Sequence, residues 1–388
     1  MRLEDICTVF KDGDWIESKD QSEEGIRLIQ TGNIGEGIYL EKESRAKYIS
    51  EETFKRMKCT EIFPGDILVS RLPDPVGRAC IIPEKKERMV TAVDCTICRP
   101  NKSLISKEYL CYFMRSNAYY TRLMGNIKGA TRKRISRKNL GNIELDVPSK
   151  EEQLRVVKQL DCLTKVINSR RKEIELLDNL IKARFIELFG NILCDSNLPL
   201  VQLSELANIG SSKRIYANEY VDEGIPFYRS KEIRELGTGL KPSVELFIKQ
   251  ERYDEIKEKY GVPKVGDILV AAIGATIGYS WIVDTENPFY YKDGNLIILS
   301  IKDNVNPVFL NHTMGILIED FKNKGVAGSA QLALTIEKLE KMMVVNPDIE
   351  LQNQFAEFVN QVDKSKLLDA QHVGFIAKNR LTNKLLSI

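Results

Sequence analysis

Histidine is nearly absent from this sequence, with His312 and His372 the only two among 388 residues. A histidine-rich metal site or a histidine-based catalytic relay therefore has few candidates. No apolar run approaches the roughly 18 residues of a membrane-spanning helix, so no contact with a membrane is predicted. Residues 1–5 have neither the basic start nor the apolar stretch of a signal peptide, and we expect a cytoplasmic protein.

Net charge is also small, because 57 basic residues face 55 acidic ones, and it neither demands nor excludes a polyanionic partner. All eight cysteines lie in the first half of the chain, and Cys95 and Cys98 form the only close pair. No second pair stands at zinc-ribbon spacing. Residues 89–98 read as a strand, which would direct these two thiols to opposite faces. The pattern favours buried free thiols over a metal site.

An internal repeat organises the chain, whose length predicts two to three domains at about 150 residues each. The two copies keep an offset of 199 to 201 residues, as from 148 to 347 and from 66 to 267. The matching segments include Gly65-Asp66-Ile67-Leu68-Val69 with Gly266-Asp267-Ile268-Leu269-Val270, Gly77 with Gly278, Leu140 with Leu339, Pro148 with Pro347, and Gln153 with Gln352. So steady a register indicates a tandem duplication.

Each copy begins with a part rich in glycine, proline, aromatic and β-branched residues. Short apolar runs between turn signals predict strands at 67–69, 90–97, 268–270 and 296–299, and helical stretches at 107–123 and 307–322. The predicted fold class is α+β, with two duplicated globular domains, each followed by a long helix. The predicted boundaries are 1–147 for the first domain, 148–190 for the central helix, 191–346 for the second domain and 347–388 for the carboxy-terminal helix.

The central helix has no proline or glycine between residues 149 and 189. Steps of four and three give a seam in which eight of ten positions are apolar, namely Val156, Leu160, Leu163, Ile167, Arg170, Ile174, Leu177, Ile181, Arg184 and Leu188. At 1.5 Å per residue the helix would be roughly 60 Å long. The second long helix is patterned less regularly, because Gly374 interrupts its apolar stripe.

We predict that the two long helices pair as an antiparallel coiled coil, which would give the molecule a pseudo-two-fold axis. The alternative is that they pair between chains, so that the isolated chain forms a homodimer. Duplicated modules at a fixed spacing suit duplex DNA, on which dimeric readers contact half-sites about 34 Å apart. A fused pair of different modules could read a bipartite, non-palindromic site.

A basic tract in the first copy supports double-stranded DNA as the partner. Residues 109–140 include no acidic side chain but eight basic ones, with tyrosines interleaved: Arg115, Arg122, Lys128, Arg132, Lys133, Arg134, Arg137 and Lys138. Such a tract suits phosphate contact with release of counterions. The alternative is a solvated basic face. The corresponding tract of the second copy is less basic, since Lys322 and Lys324 stand beside Glu319 and Asp320. The other basic candidates of this copy are Lys213, Arg214, Arg229, Lys231 and Arg234.

The copies differ where base contacts would be expected. Gln30 aligns with Arg229, Arg71 with Ala272, Arg132 with Gln331, and Arg134 with Ala333. Glutamine pairs well with adenine and arginine with guanine in the major groove. We predict phosphate contacts from Lys128, Lys133, Arg137 and Lys138, and base contacts from Gln30, Arg71 and Arg132, with Arg229, Lys231 and Gln331 as their counterparts. Ordinary drift of surface loops is the alternative at any one position.

The whole chain resembles the specificity (S) subunit of type I restriction–modification systems. The resemblance is carried by the repeated Gly-Asp-Ile-Leu-Val element, by Gly129-Ala130-Thr131 and Gly328-Ser329-Ala330, and by Pro-x-x-x-x-Gln before each long helix. The order of these elements matches over nearly all of the chain. This sequence departs from the family pattern at Leu351-Gln352, where the family usually has Glu-Gln, and its amino terminus is short.

The resemblance implies two target recognition domains, each reading half of a split DNA site, and antiparallel helices that set the spacing. It further implies two modification subunits docked on those helices, which carry S-adenosylmethionine and methylate adenine N6, and restriction subunits that join for cleavage. The S subunit itself would perform no chemistry and hold no cofactor.

Two other functions remain as alternatives. A DNA adenine methyltransferase is suggested only by Asn287-Pro288-Phe289-Tyr290, which lacks the second proline of the Asn-Pro-Pro-Tyr motif, and no glycine-rich cofactor loop precedes it. A Gly-x-x-x-x-Gly-Lys-Ser/Thr nucleotide loop is absent as well. The second alternative is a protein-only interaction scaffold built on the long helices, against which the acid-free basic tract argues.

Overall fold

The computed structural model describes residues 1–127, 133–194, 198–325 and 333–379, with side chains described up to Lys366. By its internal contacts the chain forms two units. The first comprises Met1–Arg171 and the segment from Gln371 onward, and the second comprises Lys172–Ala370. Each unit contains one copy of the repeat. None of the helices in the described ranges combines the length and the apolar character that a membrane span requires.

The first copy contains eight strands and four short α-helices in the described residues. The strands are β1 (Cys7–Asp12), β2 (Ile26–Ile29), β3 (Tyr48–Ile49), β4 (Glu61–Ile62), β5 (Ile67–Ser70), β6 (Ala79–Ile81), β7 (Met89–Thr91) and β8 (Cys95–Pro100). The helices are α1 (Glu51–Met57), α2 (Lys107–Phe113), α3 (Asn117–Met124) and α4 (Arg137–Gly141). The long helix α5 (Lys150–Phe189) follows.

The second copy repeats this order with a few additions. Its strands are β9 (Leu200–Gln202), β10 (Ala207–Gly210), β11 (Tyr220–Val221), β12 (Ile225–Tyr228), β13 (Phe247–Ile248), β14 (Ile268–Ala271), β15 (Ser280–Ile282), β16 (Tyr290–Tyr291), β17 (Leu296–Ile301) and β18 (Met343–Val345). Its helices are α6 (Leu203–Leu206), α7 (Ser230–Gly237), α8 (Gln250–Tyr260), α9 (Pro307–Gly325), α10 (Ile336–Glu340) and the long α11 (Ile349–Asn379).

Each copy is built on two four-stranded sheets. The antiparallel sheet has the order β1-β8-β5-β6 in the first copy and β10-β17-β14-β15 in the second. The mixed sheets, β3-β2-β7-β4 and β11-β13-β12-β16, each contain one parallel pair, β2 with β7 and β12 with β16. The duplicated α+β architecture predicted from the sequence is therefore confirmed.

The Gly-Asp-Ile-Leu-Val element is apolar throughout because both faces of its strand are covered. In β5, Ile67 and Val69 pack into one cluster with α2 and α3, while Leu68 packs into another on the opposite face. Strand β14 does the same with Ile268 and Val270 on one side and Leu269 on the other. Successive side chains of a strand alternate between faces, so a strand buried on both sides is continuously hydrophobic.

The glycine and aspartate of that element form identical turns in the two copies. Gly65 and Gly266 have φ values of +91° and +94°, a region that side chains with a Cβ rarely adopt. The following carboxylates, Asp66 and Asp267, each accept a hydrogen bond of 2.9 Å from the backbone N–H three residues earlier. Local backbone requirements thus explain why Gly-Asp recurs.

The glutamine of each Pro-x-x-x-x-Gln motif anchors the start of a long helix to its domain. Gln153 accepts a hydrogen bond from the Ser106 N–H at 2.8 Å and donates to Leu104 O and Pro148 O at 2.9 Å. Gln352 accepts from the N–H of Asn306 at 2.9 Å and donates to Pro347 O at 2.8 Å. Both glutamines are only 1% exposed. The motif therefore fixes where each long helix begins.

In the second unit, the carboxy-terminal half of α5 packs antiparallel against the first part of α11. The ion pair Lys366–Asp178 measures 2.7 Å, and the ring of Phe355 lies 5.3 Å from that of Phe185, further along α5. Ring centroids of Phe189 and Phe309 are 4.8 Å apart in the same cluster. Seam positions such as Ile181 are buried, as the periodicity predicts.

Two local predictions need correction. The single strand expected at 90–97 is two strands, because a turn at Val93 and Asp94 separates β7 from β8. The helical stretch expected at 107–123 is likewise divided, since Ser116 caps a new helix by accepting a hydrogen bond from Tyr119 N. The second long helix passes through Gly374, and its described part reaches Asn379.

The close cysteine pair lies on β8 with its thiols on opposite faces, as predicted. Cys98 packs with α2 and α3, and Cys95 packs between the two sheets of the first copy. Burial raises the pKa of Cys95 to about 12. Within the described ranges, no three histidine, cysteine or acidic side chains converge on a possible metal position.

Candidate nucleic-acid interface

Four strand ends converge at one edge of the first copy. The ends of β2 and β7 are neighbours, because Ile29 pairs with Thr91. The end of β5 meets the start of β8, because Ser70 pairs with Cys95. The backbone N–H of Ile135 then donates to Arg71 O at 3.3 Å, which brings the basic segment to the same edge. We call this edge, with the loops at residues 30–34, 71–77, 92–94 and 133–136, the first strand-end surface.

The second copy has the same arrangement. Tyr228 pairs with Tyr291 at the ends of β12 and β16, and Ala271 pairs with Leu296 where β14 ends and β17 begins. The N–H of Leu334 donates to Ala272 O at 2.9 Å, which matches the bond from Ile135 to Arg71. We call this edge, with the loops at residues 229–232, 272–278, 292–295 and 333–335, the second strand-end surface. Its residues align with those of the first at the predicted offsets.

Gln30 and Arg229 occupy equivalent places at the two surfaces. The N–H of Gln30 donates to Asn33 Oδ1 at 3.0 Å, and that of Arg229 donates to Glu232 Oε2 at 2.8 Å. Each residue thus begins a short turn or helix directly after its strand. Their positions agree with the sequence alignment, while their contact with bases stays a prediction.

Arg71 is buried, which contradicts its predicted approach to a base edge. Its side chain is 6% exposed and lies 3.4 Å from Asp12, and its Nη2 donates to Val93 O at 2.5 Å. Burial lowers the pKa of Arg71, and the Asp12 carboxylate opposes that shift. The guanidinium therefore holds the turn between β7 and β8. The sequence did not reveal this role, because Asp12 belongs to β1, which is far from Arg71 along the chain.

The basic segment of the first copy presents cations at this edge. Lys133, Arg137 and Lys138 are exposed, and within the described ranges none of the three has a carboxylate within 4 Å. Arg134 is 45% exposed and pairs with Asp94 at 3.0 Å. The predicted phosphate contact at Lys128 and the predicted base contact at Arg132 lie outside the described residues. A surface with unpaired cations suits a polyanion.

The candidate cations of the second copy are mostly paired. Arg229 bridges the buried carboxylate of Glu232 and Glu245, at 2.9 and 2.8 Å, and Lys231 contacts Glu245 at 2.7 Å. Hydrogen bonds from Lys231 and Arg229 lower the pKa of Glu245 to about 2. Arg214 pairs with Asp293 at 2.7 Å. These pairs leave less free positive charge at the second strand-end surface.

Three other candidates lie apart from these pairs. Lys213 is exposed, and its Nζ stands 5.1 Å from the centre of the Tyr260 ring. Lys322 and Lys324 sit on α9 and pair with Glu319 and Asp320, at 3.0 and 2.7 Å. Their charge is therefore locally compensated, as their neighbours in the sequence suggested. Gln331 lies outside the described residues.

Arg78 was not predicted from the sequence, although it lies directly after the loop at residues 71–77 and supports the first strand-end surface. Its guanidinium donates to four backbone carbonyls, Ile34 O at 2.6 Å, Thr31 O at 2.9 Å, Leu72 O at 3.0 Å and Pro75 O at 3.1 Å. It thereby ties the loop after β2 to the loop after β5. The only sequence signal was its place directly after the repeated glycine, Gly77.

Comparison with known proteins places the chain in a family. The family model for the type I restriction modification DNA specificity domain matches it twice, at residues 1–177 and 196–371. The chain belongs to that specificity family. Its two matches coincide with the two copies of the repeat, so each copy is one specificity domain.

Curated relatives and solved structures agree with this family. The chain is 27% identical, over 68% of its length and 66% of the relative, to a putative type I restriction enzyme specificity subunit of Haemophilus influenzae. It is 24% identical, over 99% of its length and 92% of the relative, to the putative MjaX specificity subunit of Methanocaldococcus jannaschii.

Among solved structures, the S subunit of a type I system from M. genitalium covers 100% of the chain with a TM-score of 0.54 and 15% identity. A chain from a structural study of assembly and conformational transition in a type I R-M system covers 97% with a TM-score of 0.58 and 15% identity. These likenesses support the fold of the specificity family.

Proposed function

We propose that this chain is the DNA sequence-recognition subunit of a type I restriction–modification complex, and that each domain reads one half of a bipartite, asymmetric site. The observation that carries the proposal is the pair of strand-end surfaces, which share their strand pairings and closing hydrogen bonds and differ in their side chains. One scaffold with two sets of exposed groups is what recognition of two different half-sites requires.

The first domain would hold DNA chiefly through its unpaired cations. Lys133, Arg137 and Lys138 would contact phosphates, and such contacts position a protein on the duplex without reading its sequence. Gln30 lies at the same edge and would approach bases. In the second domain, DNA phosphates would compete with Glu245 for Arg229 and Lys231, so that this domain binds with a smaller net electrostatic gain.

The long helices would set the distance between the half-sites and dock two modification subunits. Alongside its buried seam, α5 carries large apolar side chains that stay exposed in the second unit, with Leu176 57%, Leu180 47% and Ile186 57% exposed. Leu176 and Leu180 lie one turn apart on the helix, and neighbouring exposed apolar side chains favour a protein partner. Because the helices would fix the spacing, changing their length by one turn should alter the spacer and leave the half-sites unchanged.

The chain itself would be non-catalytic in this complex. Methylation of adenine would belong to the modification subunits, which would bind S-adenosylmethionine, and cleavage would belong to restriction subunits. The segment resembling a methyltransferase motif supports this division, because Phe289 and Tyr290 are only 3% and 2% exposed and pack in the core of the second domain. Their rings serve the fold and leave no aromatic surface for a target adenine.

The test is co-purification of the tagged chain from its host, followed by sequencing of methylated DNA with and without the gene. We expect adenine methyltransferase subunits at two copies per chain and loss of one bipartite methylation motif on deletion. Recovery of partners without any DNA-modifying activity, together with no DNA binding at low salt, would support the scaffold alternative. Methyl transfer by the purified chain alone would support the methyltransferase alternative.

A further inference from the structure

The loop between β5 and β6 is held rigidly at the first strand-end surface. Its two ends are joined by backbone hydrogen bonds, from Gly77 N to Ser70 O at 2.8 Å and from Ser70 N to Arg78 O at 2.9 Å. A buried tyrosine, Tyr119, donates its hydroxyl to Gly77 O at 2.9 Å. Two of the four carbonyls that Arg78 binds, Leu72 O and Pro75 O, belong to this same loop. The loop is therefore organised before any ligand arrives.

One carboxylate stands at the tip of this loop without a partner. Asp74 is exposed, and within the described ranges it has no hydrogen bond and no cation within 4 Å. The loop begins at Arg71, whose carbonyl accepts from Ile135 next to the cations of the basic segment. An unpaired acidic side chain on an edge that also carries arginines and lysines lowers the affinity of that edge for phosphate. This loss of affinity for phosphate is explained if the carboxylate discriminates between DNA sequences.

The second domain supplies a matched reference for this loop. Residues 272–278 have the same length as residues 71–77, and the closing bonds recur from Gly278 N to Ala271 O and from Ala271 N to Tyr279 O, at 2.9 and 2.8 Å. The residue equivalent to Asp74 is Ala275, which is also exposed. Tyr279 replaces Arg78 and is 43% exposed. The closing hydrogen bonds of the loop are thus kept, while Gly274–Thr276 forms a short 3-10 helix that the first loop lacks. At the aligned position the side chain changes from a carboxylate to a methyl group.

We propose that Asp74 is a base-reading residue of the first domain, which accepts a hydrogen bond from the amino group of a cytosine in the major groove. A carboxylate can only accept hydrogen bonds at neutral pH, and in the major groove cytosine N4 is the donor that aspartate recognises. Ala275 offers an apolar contact to the second half-site, where the methyl group of thymine is its counterpart. Arg78 acts as a positioning residue, because it fixes the loop that carries Asp74.

The inference rests on the proposed function, and the experiment keeps the two apart. The chain is co-expressed with its modification subunits in a host lacking them, and methylated sites are sequenced for the wild type and three variants. Asp74→Ala should reduce the preference for cytosine at one position of one half-site by about tenfold, and leave the other half-site unchanged. Ala275→Asp should create a cytosine preference in the other half-site. Arg78→Met should reduce base preference in the first half-site only, and Arg78→Lys should retain part of that preference.

A gel-shift series with a non-specific duplex completes the test. Removing the Asp74 charge should leave affinity for that duplex equal or higher, which loss of folding cannot produce. Unchanged half-sites in both Asp74→Ala and Ala275→Asp, with wild-type methylation intact, would overturn the base-reading role while the recognition function stands. Absence of any sequence-dependent methylation or binding by the wild-type complex would overturn both.

Discussion

Replacing Gln153 by alanine should destabilise the first unit by about 3 kcal/mol. The substitution leaves the partly buried Ser106 N–H without an acceptor, which costs ~1–3 kcal/mol, and it removes the donor to the carbonyls of Leu104 and Pro148. The space vacated by a side chain that is 1% exposed adds a cavity term. For a unit of this size, ~3 kcal/mol corresponds to a fall in Tm of roughly 6–12 °C.

The matched control is Gln159→Ala on the same helix, where the glutamine is exposed and the change should stay within about 0.5 kcal/mol. Calorimetry gives the change in stability, and hydrogen exchange at Ser106 tests its origin, since that amide should lose protection in Gln153→Ala alone. In the second unit, Gln352→Ala should act likewise on the amide of Asn306, with exposed Gln354→Ala as its control. The anchoring role of these glutamines would be refuted if each variant melted at the same temperature as its control and the amides of Ser106 and Asn306 stayed protected.

Three further predictions concern charge, packing and pH. Changing Lys133, Arg137 and Lys138 together to glutamine should weaken binding to all duplexes alike and reduce the slope of log affinity against log salt by about 2 to 3; an unchanged slope would exclude phosphate contacts there. Phe355→Ala should cost the second unit ~3–5 kcal/mol in denaturant unfolding, because its ring packs 5.3 Å from a neighbouring phenylalanine, and Phe355→Leu should cost clearly less. Burial lowers the pKa of His312 despite nearby carboxylates. The neutral imidazole therefore contributes to the free energy of unfolding above the usual histidine pKa, and this contribution is lost as the pH falls below it. The stability of the His312→Gln variant should therefore vary less between pH 7 and 5 than that of the wild type. Equal pH dependence of the two proteins would contradict this prediction.

Much of the fold was predictable because it depends on local patterns that occur twice. The turn at Gly65-Asp66 needs a positive φ and a carboxylate that accepts a backbone hydrogen bond, and both requirements are visible in the sequence. The long helix was equally visible, since a stretch free of proline and glycine with regular apolar spacing has few other solutions. Its observed limits, Lys150–Phe189, fall within the predicted segment 148–190.

The candidate interface was only partly predictable, because the fate of an arginine depends on partners that are distant in sequence. In the sequence, nothing distinguishes Arg71 from Arg134, and both are predicted to be exposed cations. In the fold, Asp12 and a carbonyl of the β7–β8 turn take the first inward, whereas Asp94 holds the second at the surface. Arg78 was missed for the same reason, since its four acceptors lie on two loops that meet only in the folded domain.

The division of α5 between the two units has a consequence for how such genes can be recombined. Val156 and Leu160 complete the core of the first unit, and Phe185 and Phe189 complete that of the second. A crossover at residue 190, where the globular sequence resumes, would give a hybrid whose second core inherits aromatic side chains from a foreign parent. A crossover in the middle of the helix, near Arg171, keeps Val156 and Leu160 with the first core and Phe185 and Phe189 with the second. New specificities should therefore arise most readily from exchanges inside the helix. The sequence pattern alone would instead have suggested the end of the helix as the point of exchange.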